Sequence, residues 1–429
     1  MALLVLIGLS GSVLRAPGFK TEPEERMSSG PRPLLGGSAR VEITPSKVAY
    51  LAGAGLGRTS TRVHDPLYAR CLVLSTAELT IGLAALDLIG LFYSDVEPIR
   101  GHLGHEVDHL IIASTHNHSG PDVLGLWGSS FLRLFPISSG RDEGYVAELK
   151  EKIATCLREA QAHRQQVTLR FNRGMVPGFS TNRRRGGAKD DELTVMQMRA
   201  RESGDTVAIL YNFAAHPVIF LRETMITADF PYWVNDAIEQ RLGGRAIFLN
   251  GAIGCHVTVD LGEKTPGGIH TIEKPTLEDA ERVSRRLSEA VIEAVETARS
   301  EVTEAPITLQ RKRLYLPVEN WRFRLAQRIG FLKREAYDGT LKTELNLLGL
   351  GPAQLVTVPG EICPEIGMAL KEHMRAQFKF LVGLGNDELG YILRPSQFHD
   401  PVYGYERSMS IGPDAAVIEG EILGMLKGE

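Results

Sequence analysis

The sequence predicts a mixed α/β fold, a β-sheet core with covering helices. Short β-branched and apolar runs alternate with amphipathic stretches along its length, and no internal repeat or low-complexity segment interrupts them. At 429 residues the chain is long enough to bury a large core.

The expected strands, in order, are 39–43, 71–74, 81–87, 110–114, 167–171, 194–198, 207–212, 246–250, 307–316, 355–359 and 378–384. Helical spacing is clearest over 145–162, 231–242, 277–300, 364–375 and 414–426. The third of these follows Thr276, a residue suited to an N-cap. It is rich in Glu and Arg, which makes it a solvated covering helix. The stretches 181–189 and 262–268 carry polar or glycine-containing breaks that predict surface loops, and neither is long enough to be a domain linker.

Residues 1–38 are assigned to a leader or disordered segment and 39–429 to one catalytic unit. The first fourteen residues are apolar but too short to span a bilayer, and Met27 offers a second plausible start. The expected location is cytoplasmic, with export through the short apolar leader as the alternative. With 43% hydrophobic and 23% charged residues and a net charge of −4, the chain lacks the basic excess of a nucleic-acid binder. A small-molecule substrate is expected, and no basic amphipathic face or exposed apolar finger for docking on a bilayer is legible. The loop around Leu124-Gly-Leu-Trp127 and the run from Phe131 to Phe135 can line a pocket for an apolar group or belong to the core. Cys71, Cys156, Cys255 and Cys363 form no C-x-x-C pair and are expected to be reduced, packed thiols.

Chemistry concentrates where apolar strands end. The strand at 110–114 runs into Thr115-His-Asn-His-Ser-Gly-Pro121; residues two apart on a strand share a face, so His116 and His118 can enter one site. A second apolar strand ends in Asn212-Phe-Ala-Ala-His-Pro217, where a buried His216 costs desolvation unless its nitrogens are used. Val358-Pro-Gly-Glu361 sets a carboxylate after a third strand and before a helix. A fourth segment repeats the construction with Gly383-Leu-Gly-Asn386 followed by Gly390-Tyr-Ile392.

These four segments, in this order, resemble the catalytic domain of the neutral, non-lysosomal ceramidase family, over most of the chain from about Arg40. Asp65-Pro-Leu-Tyr-Ala-Arg70 and Ala85-Leu-Asp87 look like further family features. The resemblance implies one zinc ion held by His116, His216, Glu361 and Tyr391. His118 matches a non-ligand family position, suited to an oxyanion contact or a proton transfer. Arg183, in Ser180-Thr-Asn-Arg183, matches a family arginine at the substrate site.

The chain departs from the family pattern in Asn250-Gly-Ala-Ile-Gly254-Cys-His256-Val257, where Val257 stands at the place of a serine proposed to take part in attack. Asn250 and His256 are either replacements for part of that machinery or turn residues. The expected function is therefore hydrolysis of an N-acyl amide by metal-activated water, on a substrate that need not be ceramide. Ester or lactone hydrolysis, or a lyase step on the same scaffold, is the second expectation, and a noncatalytic binding protein is the third.

Overall fold

The computed structural model describes residues 18–132, 135–184, 186–262, 274–336 and 339–428. The first fourteen residues and most of the 262–268 loop lie outside the described residues. Two sheets pack face to face. The first has eight strands in the order Arg245–Asn250, Thr206–Phe213, Glu192–Ala200, Gln165–Met175, Leu35–Glu42, Tyr68–Ser75, Thr80–Leu86 and His109–Ser114. The second has Lys20–Thr21, Ile307–Pro317, Thr340–Leu350, Ala353–Thr357 and Phe378–Val382 in line, with Glu25–Ser28 also paired to Ile307–Pro317.

All eleven expected strands are present, and their inward residues explain the layering. Leu83, Leu169, Met198 and Leu210 of the first sheet meet Leu309, Leu348, Leu355 and Phe380 of the second in one apolar seam. Helices cover the outer faces. Glu143–Ala162 packs on the first sheet through Val146, Leu149, Ile153 and Leu157. Leu277–Thr297 joins Phe230–Leu242 on the same sheet through Val283, Leu287 and Val291. It starts as expected, with Thr276 accepting from the Asp279 amide while the Asp279 carboxylate accepts from the Thr276 amide. Pro364–His373 and Val417–Lys427 cover the second sheet. No helix among the described residues is long and apolar enough to cross a membrane.

Three parallel strand pairs position the site. Thr80–Leu86 pairs with His109–Ser114 around the helix Tyr93–Leu103, Thr206–Phe213 with Arg245–Asn250 around Phe230–Leu242, and Ala353–Thr357 with Phe378–Val382 around Pro364–His373. Each is a strand–helix–strand unit, and ligands of such units gather beyond the carboxyl ends of the strands. Those ends converge. The Asn250 amide, at the end of one edge strand of the first sheet, donates to the carbonyl of Thr115 beyond the other edge strand at 2.8 Å.

Two expectations need correction, and three further elements were not foreseen. The stretch 18–38 is built into the fold rather than lying outside it: Met27 pairs with Leu309, and Leu35–Glu42 is a central strand of the first sheet. Cys255 and Cys363 are joined in a disulfide with their Cα atoms 5.1 Å apart, whereas Cys71 and Cys156 are buried thiols. The strand Thr340–Leu350 was hidden by Glu344 in its middle, a carboxylate that the fold buries against Arg100 at 2.7 Å. The helices Tyr93–Leu103 and Trp321–Arg328 are additional; Pro98 breaks the pattern of the first, and the second turns large apolar residues outward.

Candidate metal centre

His116 lies just past the end of its strand. The ladder stops at Ser114, and His116 takes a left-handed conformation with φ 66°, so strand alternation is not what pairs it with His118. The turn is held instead by Asn117, whose side-chain amide donates to the carbonyls of Asp87 and Thr227 and whose oxygen accepts from the Ser119 amide. Both imidazoles still reach one place, with ring centroids 4.7 Å apart. His116 Nδ1 lies 2.6 Å from the carbonyl of Ile89; it must donate there, and this leaves Nε2 with a free lone pair.

His216 is built the same way. Its Nδ1 lies 2.7 Å from the Val257 carbonyl, which also accepts from the backbone amide of His216. Val257, at the family's serine place, thus acts through its backbone. Cys255 and His256 just before it both have positive φ, and this tight turn aims the carbonyl. Asn250 is a structural residue here: besides the bond to Thr115, its oxygen accepts from the amides of Ala215 and Gly251. His256 stacks on Tyr405 and approaches the buried Glu406 at 3.4 Å.

The oxygen donors come from the second sheet. Beyond its two parallel strands, the chain forms a short parallel ladder in which Glu361 faces Tyr391 and Ile362 faces Ile392. Glycine is needed for this approach, because a Cβ on Gly390 would fall 1.9 Å from the Met409 carbonyl. On the other side, Gly254 packs flat against Ile362, and the disulfide closes the same contact one residue further along both segments.

Glu361 reaches both histidines, with Oε2 3.0 Å from His216 Nε2 and Oε1 3.5 Å from His116 Nε2. Burial raises the pKa of this carboxyl, but His116, His216 and Tyr391 outweigh it and keep the carboxylate ionised. Burial pushes His116 down to about 4 and lowers His118 well below the usual imidazole range. The Tyr391 phenol is pushed well up by burial and by the nearby Glu361. Both ring nitrogens of His118 are shielded from solvent, with the backbone of Gly53 the polar group that approaches the ring. Ligand atoms of His116, His118 and His216 lie within 4.8 Å of one another, a spacing that can hold a metal ion.

The sequence reading had not singled out three further residues. Glu388 lies between the expected Asn386 and Tyr391; its Oε1 accepts from the Gly390 amide, and its Oε2 is buried without a hydrogen bond, 4.0 Å from His116 Nδ1. Burial and the neighbouring Glu361 raise its pKa well above the usual range. Tyr405 packs edge-on to Tyr391, and Arg58 donates to the carbonyl of His118; nothing in their local pattern marks either. Asn386 is a sheet-joining residue, accepting from the amide of Ile112 and donating to Glu344. Asp65 and Asp87 are buried and hold backbone amides, those of Ala228 and Tyr68.

A pocket of about 70 Å³ opens beside these residues. His116, His118, Glu361 and Tyr391 line one end, and apolar side chains including Phe92, Leu126, Trp127 and Phe323 line the rest. The Leu124 to Trp127 loop is therefore pocket lining. Arg183 lies on the His216 side: its Nε donates to Thr258 Oγ1 at 3.3 Å, and Thr258 bridges the backbone of His216. Half-burial lowers its pKa, with Arg222 adding to the effect. Arg184 pairs with Glu406, and Arg185 lies outside the described residues.

No family model matches the chain, and no curated protein matches it in sequence. Solved structures do. The neutral ceramidase from Pseudomonas aeruginosa superposes with a TM-score of 0.73 at 16% identity, over 92% of this chain and 74% of that one. A structure described as ceramidase complexed with C2 gives 0.73 at 15%, over 92% and 75%. Matched at that level over 92% of its length, the chain has the neutral ceramidase fold.

Proposed function

We propose that this chain is a zinc-dependent hydrolase that cleaves an N-acyl amide bond in a substrate with an apolar acyl group. The observation that carries the reading is the pair His216 Nε2 and Glu361 Oε2 at 3.0 Å. With Nδ1 of the same ring donating to Val257, Nε2 bonds the carboxylate only through a proton it carries, and without that proton it offers a lone pair to a metal ion. Two buried lone pairs facing each other repel unless a cation lies between or beside them. Two imidazoles, a carboxylate and a phenol form a donor set that suits zinc.

Zinc in such a site supplies Lewis acidity and brings the pKa of water to about 7. In this reading His116, His216, Glu361 and Tyr391 hold the ion. Hydrolysis breaks the acyl C–N bond, forms a C–O bond to the oxygen of water and delivers a proton to the departing nitrogen. His118, kept neutral by burial and approached by the Gly53 backbone, is assigned that proton and the contact to the developing oxyanion. Arg183, outside the cavity lining, adds a fixed positive charge behind His216 through Thr258. The apolar arm of the cavity takes the acyl chain.

The test is elemental analysis and turnover together, on wild type, His116→Ala, Glu361→Gln and His118→Ala, with a panel of N-acyl amides. The reading expects one zinc per wild-type chain, little in the first two variants, and zinc without turnover in His118→Ala. Zinc lost with His118 makes it a ligand instead, and a metal-free wild type sinks the proposal.

A further inference from the structure

Two charged side chains line the cavity beside the candidate ligands rather than among them, Glu388 and Arg334. On one side Glu388 Oε2 lies 4.0 Å from His116 Nδ1. On the other, Arg334 donates to the Glu388 carbonyl at 2.8 Å and lies 4.9 Å over the ring of Phe92, a residue of the apolar arm. Glu388 therefore stands at the step from the candidate metal donors to the arm that takes the acyl chain.

The two charges are not equally satisfied. Arg334 is paired with the Asp387 carboxylate, so its charge is balanced within the protein. Glu388 is only 8% exposed; its Oε1 accepts from the Gly390 amide, but its Oε2 accepts no hydrogen bond. His116 Nδ1 does not serve it, because that nitrogen donates to the Ile89 carbonyl at 2.6 Å. Packing fixes the carboxyl in this place: a Cβ on Gly90 would fall 2.9 Å from Glu388 Cβ and Cγ and 3.1 Å from Oε2, so only glycine leaves the room. A shielded acceptor without a donor carries its whole desolvation cost until a ligand brings one.

Charge decides which donor fits. A ligand carboxylate would meet Glu388 and Asp387, and a ligand ammonium would stand beside Arg334 and the ion assigned to His116. A neutral hydroxyl meets neither repulsion, and it donates to a carboxyl oxygen whether or not that carboxyl is protonated. The N–H of the scissile amide lies on the amine side of the carbonyl, away from the arm.

From this we infer that Glu388 is a specificity-determining residue: the acyl chain taken by this site carries a hydroxyl on the first or second carbon beyond the scissile carbonyl, and that hydroxyl donates to Glu388 Oε2. The inference rests on the reading that the apolar arm holds the acyl chain of an N-acyl amide, and narrows that class to hydroxyacyl amides.

The test reads binding within matched pairs, so it does not depend on turnover. Purified full-length protein is titrated by calorimetry with N-butyl octanamide and with its counterparts hydroxylated on the first or the second carbon beyond the carbonyl. Wild type is expected to bind one hydroxylated amide at least about tenfold more tightly than the plain one, the scale of a hydrogen bond to a carboxylate. Glu388→Met is expected to bring that ratio close to one. Gly90→Ala, which displaces the carboxyl without removing it, is expected to lower the ratio by at least about threefold. Melting temperature and zinc content are recorded for each variant. A purely structural role for Glu388 would weaken both members of a pair alike and leave the ratio where it was. Equal affinity within both wild-type pairs, or a preference that either folded variant keeps in full, overturns the inference. Discrimination without hydrolysis supports it and counts against the hydrolase reading alone, whereas hydrolysis with no discrimination does the reverse.

Discussion

The guanidinium of Arg58 is bonded to the carbonyl of His118, and through its other contacts to those of Ala52, Leu221 and Glu223, with no carboxylate paired to it among the described residues. Burial alone lowers its pKa to about 10. One cation thus gathers three loops around the candidate site. Arg58→Met leaves four carbonyls without their donor, and the expected cost is about 2–4 kcal/mol in chemical denaturation. Lysine cannot span the same fork, so Arg58→Lys is expected to recover less than half of that loss.

Gly53 gives a way to disturb His118 by itself. A Cβ there would fall 2.0 Å from His118 Nδ1, and its φ of 86° already disfavours other residues. Gly53→Ala is expected to displace the imidazole, retaining bound zinc while N-acyl amide turnover falls by about two orders of magnitude, the usual scale for a lost acid–base group. Loss of zinc in this variant would contradict the separate roles given to His116 and His118.

The disulfide has a local purpose. Cys255 is two residues before Val257, whose carbonyl holds His216, and Cys363 is two residues after Glu361. It closes a loop of 108 residues, for which about 5 kcal/mol of stabilisation is the chain-entropy expectation. Cys255→Ser with Cys363→Ser should therefore lower the melting temperature and weaken zinc retention together. Equal zinc affinity in the variant, measured by competition with a chelator, would show that the clamp serves stability alone.

Acid and neutral limbs of a pH–stability profile have separate sources. Burial alone would raise Glu344, but Arg100 dominates and holds it at about 2, against an ordinary 4.5. Its contribution is present above 4.5 and is lost as pH falls toward 2. Glu344→Gln should flatten that limb and, by leaving Arg100 buried without its partner, destabilise the protein at neutral pH by about 3–5 kcal/mol. Asp229 has the opposite sign: burial raises it from 3.8 to about 7, so its contribution is full below 3.8 and lost as pH rises through 7. Asp229→Asn should reduce the decline across that interval, as read by denaturant midpoints.

Much of this architecture was legible because parallel strands buried on both faces are written as apolar runs, and because the groups with chemistry follow those runs directly. His116, His216, Glu361 and Tyr391 are each announced by a strand, and the fold brings all four together. Glu388 and Arg58 were not legible, since a buried charge is recognised by its partners, and those lie far off in the chain. Thr340–Leu350 escaped for the same reason, its buried Glu344 reading as an exposed residue until Arg100 is seen. The left-handed backbone at His116 and the pairing of Cys255 with Cys363 depend on tertiary packing that spacing does not encode.

The nitrogen donors of the candidate centre hang from the first sheet and the oxygen donors from the second. Any cation between His216 and Glu361, a proton or a metal, is therefore a rivet through both layers, joining positions 145 residues apart. Its affinity is lent to the adhesion of one layer to the other. A chain stripped of it loosens first along that seam, so the wear of the fold and the loss of its chemistry begin at the same point.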